Sequence, residues 1–151
     1  MSQADLATAT AEQPRRAGLA ANLVAAPFIY AVLAPLMALD AFVSLYQAIC
    51  FRLWSIPQVR RAPHMRFDRA KLPYLNALQR LNCRYCSYAN GVLAYAMEIA
   101  AKTEQYWCPI QHETDPDTPH SRYKAFIAYG DSHDLKRRWS ELRAKLERED
   151  D

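Results

Sequence analysis

A long uncharged stretch near the N-terminus constrains this chain most. No Asp, Glu, Lys or Arg occurs from Ala17 to Leu39, where large apolar side chains alternate with alanines, and apolar residues continue beyond Asp40 to Trp54. A helix needs about 20 apolar residues to cross a hydrocarbon core about 30 Å thick. The stretch is long enough for one crossing, so we expect residues 17–55 to anchor the chain in a membrane.

Two geometries fit this segment. In the first, residues 19–39 span the membrane as one helix and residues 41–54 lie in the interface, with their aromatic side chains as anchors. In the second, Pro27 and Pro35 bend the segment into a re-entrant hairpin with both ends on one side. A buried helix of a soluble core explains the length less well.

A cleaved secretory signal is a further interpretation, because Arg15 and Arg16 precede the apolar run. No small-x-small cleavage site follows, since the candidate at Ala34 is followed by Pro35. We therefore expect the segment to be retained. Two Arg precede the run and seven Lys or Arg lie in residues 52–80. We expect a protein of a bacterial inner membrane, and this bias predicts that its soluble part is cytoplasmic.

The basic residues after the apolar run also indicate the kind of partner. Residues 52–80 contain seven Lys or Arg against a single acid, Asp68. Basic side chains next to a membrane attract anionic lipid head groups, each contributing about 1 kcal/mol near the surface. A nucleic-acid interface would also be basic, but these arginines follow no groove-reading motif. We expect membrane lipids as partners and no nucleic acid.

The composition of the remaining chain predicts helices, and thus an all-α fold in which an N-terminal membrane helix is followed by a small helical domain. Residues 1–16 are small, polar and unpatterned, so we expect a disordered tail. Residues 56–112 are expected to form a cysteine-bearing helical region. Residues 113–151 are expected to form a loop and C-terminal amphipathic helices.

Helix boundaries are predicted from caps and breakers. We expect a first helix to begin at Asp68 and to stop or bend at Asn90-Gly91. A second helix is predicted from Val92 to Trp107, apolar over most of its circumference and therefore central to the core. One last amphipathic helix is indicated by four apolar residues at helical spacing, Leu135, Trp139, Leu142 and Leu146.

Two cysteine-bearing words form the richest part of the sequence: NCRYCSYANG at residues 82–91 and TEQYWCPIQH at residues 103–112. Together with SLYQAICF, IPQVRR, FDRAKLPYLN and YGD, they resemble an uncharacterised family of proteobacterial membrane-associated proteins, over roughly Ser44 to Gly130. The resemblance implies an N-terminal membrane segment and a cysteine-rich motif, and it implies no catalytic residue. Gln111 departs from the family pattern, which has Lys there.

Three thiols and one imidazole lie within this window, and they suit a tetrahedral zinc ion or, as an alternative, an iron–sulfur cluster. These candidate ligands are Cys83, Cys86, Cys108 and His112. A single site requires the helix between the two pairs to be short, bent or crossed, because a straight helix of residues 92–107 would be about 24 Å long. Otherwise no metal binds, and the thiols pack in a helical core.

Other chemistry is less well supported by the sequence. Cys83 and Cys86 could exchange a disulfide, but no βαβ pattern surrounds them. An unpaired carboxylate would be costly at Glu98, so we expect it at the rim or bonded to Tyr, Arg or Asn rather than to a metal. The histidines expected to lie solvated in polar loops are His64, His120 and His133.

The sequence lacks a nucleophile elbow, a phosphate-binding loop and paired catalytic carboxylates. We therefore expect a membrane-anchored helical accessory or scaffold protein that docks on another protein and could be stapled by a metal. The alternative is a small membrane-associated metal- or thiol-dependent redox enzyme that uses Cys83, Cys86, Cys108 and His112.

Overall fold

The computed structural model describes residues 18–149 of the 151-residue chain. These residues form four α-helices and several single helical turns. They contain no strand, and only an isolated bridge joins Ile110 to Ile127. The predicted all-α class is confirmed, whereas the predicted tail of residues 1–16 lies outside the described part of the chain. Contacts divide the chain after Ala34 into two compact units.

The first unit contains α1, Leu19–Ala31, with Pro27 inside it. Helix α2 begins at Leu33 and carries Pro35 in its first turn. A proline cannot donate the hydrogen bond to the carbonyl four residues earlier, which accounts for the short interruption at Val32. Among the described residues, one helix is long and apolar enough to cross a membrane, Ala21–Phe51.

That helix has the properties of a lipid-exposed segment. In its most apolar window only 6% of the residues are buried, so the helix is not the core of a soluble fold. A signal sequence near an N-terminus has the same length and composition. Pro27 lies inside α1 and Pro35 lies in the first turn of α2.

The second unit contains the remaining elements. Helix α2 ends at Tyr46 and is followed by a π-helical turn, Gln47–Phe51. A connector then includes two 3-10 turns, Ala62–His64 and Asp68–Lys71. Three further elements complete the unit: α3, Ala77–Trp107, the 3-10 turn Tyr123–Ala125, and α4, Leu135–Glu147.

Residues 35–51 belong both to the apolar helix Ala21–Phe51 and to the second unit. Phe51 is fully buried, and it belongs to a core that also contains Tyr95 of α3 and Leu146 of α4. The expected anchoring segment, residues 17–55, thus includes the point after Ala34 at which contacts divide the chain.

Helix α3 begins later than predicted. Asn76 is its N-cap: the side chain accepts the backbone N–H of Gln79, while the Gln79 side chain accepts the N–H of Asn76. This capping box satisfies two free donors of the first turn. Asp68 lies in a separate 3-10 turn instead, since Pro73 could not continue a helix that began there.

Gly91 does not interrupt α3, contrary to the prediction of a stop or bend at Asn90-Gly91. A Cβ atom at this position would lie 2.7 Å from the backbone oxygen of His64 and 2.7 Å from Sδ of Met65. Glycine is required here because the connector backbone packs directly against the helix. The residue is therefore a packing site, and the two predicted helices are one.

The C-terminal region agrees in part with the prediction. Helix α4 spans the predicted leucine pattern and buries Leu146 completely. Between residues 113 and 149 this is the one α-helix, and the other helical element before it is the turn Tyr123–Ala125.

Candidate functional site

The predicted metal ligands do not meet. Cys83 and Cys86 lie in the first third of α3, whereas Cys108 is its C-cap residue. A rise of 1.5 Å per residue separates Cys83 from Cys108 by about 37 Å along the helix. Beyond the helix, the His112 ring stacks on that of Tyr123, with 6.1 Å between the ring centres.

The structure does not bring Cys83, Cys86, Cys108 and His112 together around one ion. Zinc ligands lie about 2.0–2.3 Å from the ion, and an uninterrupted helix holds its two ends too far apart for that distance. Within residues 18–149, no three His, Cys, Asp or Glu side chains are grouped so that they could hold a metal.

Cys83 and Cys86 remain neighbours on successive turns of α3, the first half-buried and the second exposed. Residues three apart on a helix have Cβ atoms about 5–6 Å apart, whereas a disulfide requires about 3.5–4.5 Å. A disulfide between them would therefore require the two Cβ atoms to move closer together.

We expect serine at both positions, C83S and C86S, to leave the protein folded and attached to the membrane. The two thiols make no disulfide and hold no shared ligand, so only small packing changes of roughly 1 kcal/mol or less should follow. The measurement is the melting temperature together with membrane fractionation. Complete loss of the folded protein, with normal folding of C108S, would show that the pair has a structural or redox role.

Hydrogen bonds of polar side chains join α2 to α3 and to the connector, and we call this set of contacts the polar seam. Asp40 is 9% exposed and accepts hydrogen bonds from Arg61 Nη2 at 2.6 Å and Arg61 Nε at 3.2 Å. The phenol of Tyr88 donates to the same carboxylate at 3.0 Å. The one acid in the apolar helix is thus fully paired, as a buried charge requires.

The polar seam continues along α2. The Gln47 side chain accepts the backbone N–H of Val59 at 3.0 Å and donates to the Val59 carbonyl at 3.3 Å. It also donates to the Tyr95 hydroxyl, which lies 3.4 Å from Ser44 Oγ. An amide that pairs with both backbone groups of one residue fixes the connector against the helix.

The order of these contacts gives the direction of the two helices. Asp40 contacts Tyr88, and Tyr46 contacts Thr103 through hydroxyls 3.1 Å apart. Residues later in α2 contact residues later in α3, so the two helices run parallel. Burial, reinforced by the bond to Asp40, raises the pKa of Tyr88, which keeps this phenol protonated as a donor.

The opposite side of α2 and its π-turn is apolar and exposed. One stripe, here the apolar stripe, recurs at spacings of three and four residues and is 52–73% exposed: Phe42, Leu45, Ile49 and Leu53. An apolar groove of about 380 Å³ lies between α2 and α3, with Val43, Ile99 and Trp107 among its lining residues. Exposed apolar surface that extends over two helices marks a contact with lipid or with another protein.

Aromatic side chains collect where α3 ends. Trp54 stacks on Tyr106 and meets Trp107 edge to face, with ring centres 6.1 and 5.0 Å apart. The Arg143 guanidinium lies 4.6 Å from the Tyr106 ring centre, and its Nε donates to the Tyr106 carbonyl at 2.6 Å. Trp139 donates to the same carbonyl at 3.2 Å. These contacts cap the free carbonyl at the end of α3 and fasten α4 to it.

Arg122 is the centre of a second polar cluster, which ties the loop before α4 to α3. Its side chain is 16% exposed and donates to Glu98 at 2.9 Å, to Gln105 at 2.8 Å, and to both carboxylate oxygens of Glu149 at 2.9 and 2.7 Å. The prediction that Glu98 is bonded to a polar partner is confirmed. The two-pronged bond to Glu149 is the geometry in which an arginine–carboxylate pair is strongest.

The histidines differ from the prediction in part. His133 has a side chain 84% exposed, as expected of a solvated loop residue. His120 has a side chain 14% exposed and places Nε2 2.9 Å from a carboxylate oxygen of Glu104, so the prediction was wrong there. His64 packs its ring 5.9 Å from that of Tyr95.

We expect the Arg122 cluster to make stability depend on acid pH. The bond from Arg122 lowers the pKa of Glu149, so the folded carboxylate stays charged at pH values where the unfolded one, with a pKa of about 4.3, takes up a proton. This contribution is complete above about pH 4.3 and is lost as the pH falls through the folded pKa. Melting temperatures between neutral and acid pH should therefore fall more steeply for the wild type than for E149Q. Parallel curves would contradict this role of Glu149.

Sequence reasoning missed the residues that organise the second unit. Asp40 stood out as the single acid of the apolar stretch, and Arg61 as a nearby base, but no spacing links Tyr88 or Arg122 to their partners. In comparisons with known proteins, no family model, curated protein or solved structure matches this chain.

Proposed function

We propose that this protein is a membrane-anchored helical accessory or scaffold protein. One observation carries the proposal: the helix Ala21–Phe51 is long enough to span a membrane and leaves almost all of its most apolar window unburied. Large apolar side chains project from it without partners, among them Phe28, which is 73% exposed, and Met37, which is 56% exposed. A surface of this kind is stable in lipid and costly in water.

The contacts of the second half of the helix support retention of the residues from Asp40 to Phe51. Asp40 and Gln47 hold the connector, and Phe51 is fully buried in the core of the second unit. Removal of the helix as a signal sequence up to Phe51 would leave Arg61, Val59 and Tyr95 without these partners. The folded domain therefore needs the end of the apolar helix.

Orientation is proposed from charge. Seven Lys or Arg in residues 52–80 follow the anchor and two Arg precede it. Basic segments stay on the cytoplasmic side during insertion. The second unit would thus lie in the cytoplasm, where the apolar stripe and the adjoining groove offer a surface for another membrane-associated protein. This surface is the support for an accessory role.

We expect the intact chain to sediment with membranes and to resist a high-salt wash, because its attachment is apolar rather than ionic. Deletion of residues 1–34 should release much of the protein while the second unit, which begins at Pro35, keeps its core. The measurement is fractionation with peptide mass spectrometry of the membrane-bound form. Recovery of the intact chain in the soluble fraction, or a mature protein that begins after the apolar run, would refute the anchor.

A further inference from the structure

One end of the second unit carries a surface that the anchor alone does not explain. The apolar segment enters this unit at the start of α2. Because α3 runs parallel to α2, the beginning of α3 lies at the same end. The turn Asp68–Lys71 packs on this part of α3, and Arg69 Nη2 lies 3.4 Å from Ser87 Oγ. Three segments therefore meet where the anchor enters.

This end is strongly basic. From residue 62 to residue 88 the sequence contains five Lys or Arg and one acid. All five basic side chains are exposed, and together they are called the basic end: Arg66, Arg69, Lys71, Arg80 and Arg84. Exposed apolar side chains lie between them, including Phe67, Tyr74 and Leu78, which are 42%, 63% and 63% exposed.

The excess is smaller elsewhere in the unit. Residues 35–61 contain three Arg and one Asp, and residues 89–149 contain nine Lys or Arg and ten Asp or Glu. Bases of this last part are bound to acids: Arg122 to Glu98 and Glu149, and Arg138 to Asp131. The largest excess of positive charge in the second unit thus lies at the end where the anchor enters.

We propose that the basic end binds the phosphate head groups of anionic phospholipids, so that the second unit rests on the membrane with the start of α3 against it. The inference rests on the proposed anchor, which holds this end near the lipid surface. Guanidinium groups bind phosphate oxygens in pairs, and Tyr74 and Leu78 supply the apolar contacts of an interfacial surface. Charge complementarity identifies the bilayer as the occupant.

The native cysteines provide the test, since Cys86 is exposed in the first third of α3, two residues after Arg84, and Cys108 is exposed at the far end of that helix. Full-length protein is reconstituted into vesicles of phosphatidylcholine, with or without phosphatidylglycerol. An uncharged, membrane-impermeant maleimide is added, and labelling of each cysteine is followed by peptide mass spectrometry. We expect anionic lipid to slow the labelling of Cys86 severalfold and to leave the labelling rate of Cys108 unchanged. High salt should abolish the difference, because the screening length falls from about 8 Å to about 3 Å at 1 M.

The variant R80Q/R84Q should label Cys86 equally fast in both kinds of vesicle. The matched control K124Q/K136Q removes the same charge from exposed positions elsewhere and should keep the protection. Equal labelling of wild-type Cys86 in both vesicles overturns the proposal. So does protection by an added RNA in detergent micelles without protection by anionic lipid, a result that would indicate nucleic acid. Failure of the anchor itself gives a different result, because the protein would then not float with the vesicles.

Discussion

Replacement of Arg122 by methionine should destabilise the protein by about 2–3 kcal/mol, which corresponds to a fall in melting temperature of about 4–12 °C. The change removes every bond of the cluster at once and leaves the carboxylates of Glu98 and Glu149 facing a thioether. Loss of one partner from a fully buried pair costs about 3–5 kcal/mol. These carboxylates are 26% and 33% exposed, so water recovers part of that loss.

The matched control is R137M. Arg137 also contacts two acids, Asp134 at 3.0 Å and Glu141 at 2.7 Å, but its side chain is 62% exposed. Ion pairs between exposed side chains on a helix contribute little to stability, because water screens both charges. Thermal unfolding of the detergent-solubilised proteins, followed by circular dichroism, compares the two. Equal melting temperatures for R122M and R137M would show that the Arg122 cluster does not hold the loop to α3.

Valine at Gly91 should destabilise the protein by about 2–3 kcal/mol, since overpacking a tight contact costs about 1–3 kcal/mol and valine adds two methyl groups beyond Cβ. A Cβ alone would meet the His64 carbonyl oxygen at 2.7 Å. That oxygen belongs to the backbone of a 3-10 turn, so it cannot rotate away as the Met65 side chain can. Alanine gains about 1 kcal/mol of helix propensity and should therefore be damaging by a smaller amount.

Ala94 is the control for this experiment, because it is an exposed residue of the same helix three positions later. Valine there should cost only the difference in helix propensity, about 0.5 kcal/mol. Melting of G91V, G91A and A94V under the same conditions separates packing from propensity. A G91V protein as stable as A94V would mean that the connector does not press on the helix.

The elements predicted well were those decided by local sequence. The uncharged run predicts a long apolar helix, and the leucine spacing from Leu135 to Leu146 predicts α4. Both predictions succeed because the pattern of apolar residues can be recognised from residues close in sequence. The apolar character of the second half of Ala21–Phe51 did not reveal that Gln47 and Phe51 belong to the core of the second unit. Both faces of that helix are largely apolar, and only the fold decides which face lies inside.

The errors came from contacts distant in sequence. Gly91 reads as a helix breaker when isolated, and only the approach of the His64 backbone shows why a glycine stands in mid-helix. The same continuous helix separates Cys83 from Cys108, so a spacing suited to metal ligands did not bring these residues together. Arg122 lies in a polar loop whose composition gives no indication of two partners on α3 and a third just beyond the end of α4.

The π-turn Gln47–Phe51 has a consequence for how the chain tolerates insertions and deletions. A helix turns by about 100° per residue, so loss of one residue here would swing Trp54 away from Tyr106 while Asp40 stayed in place. The number of residues between Asp40 and Trp54 thus fixes the direction in which Trp54 points relative to α2. Exposed residues 113–119 can change in number without that effect. Homologous chains should vary in length there and keep a fixed residue count from Asp40 to Trp54.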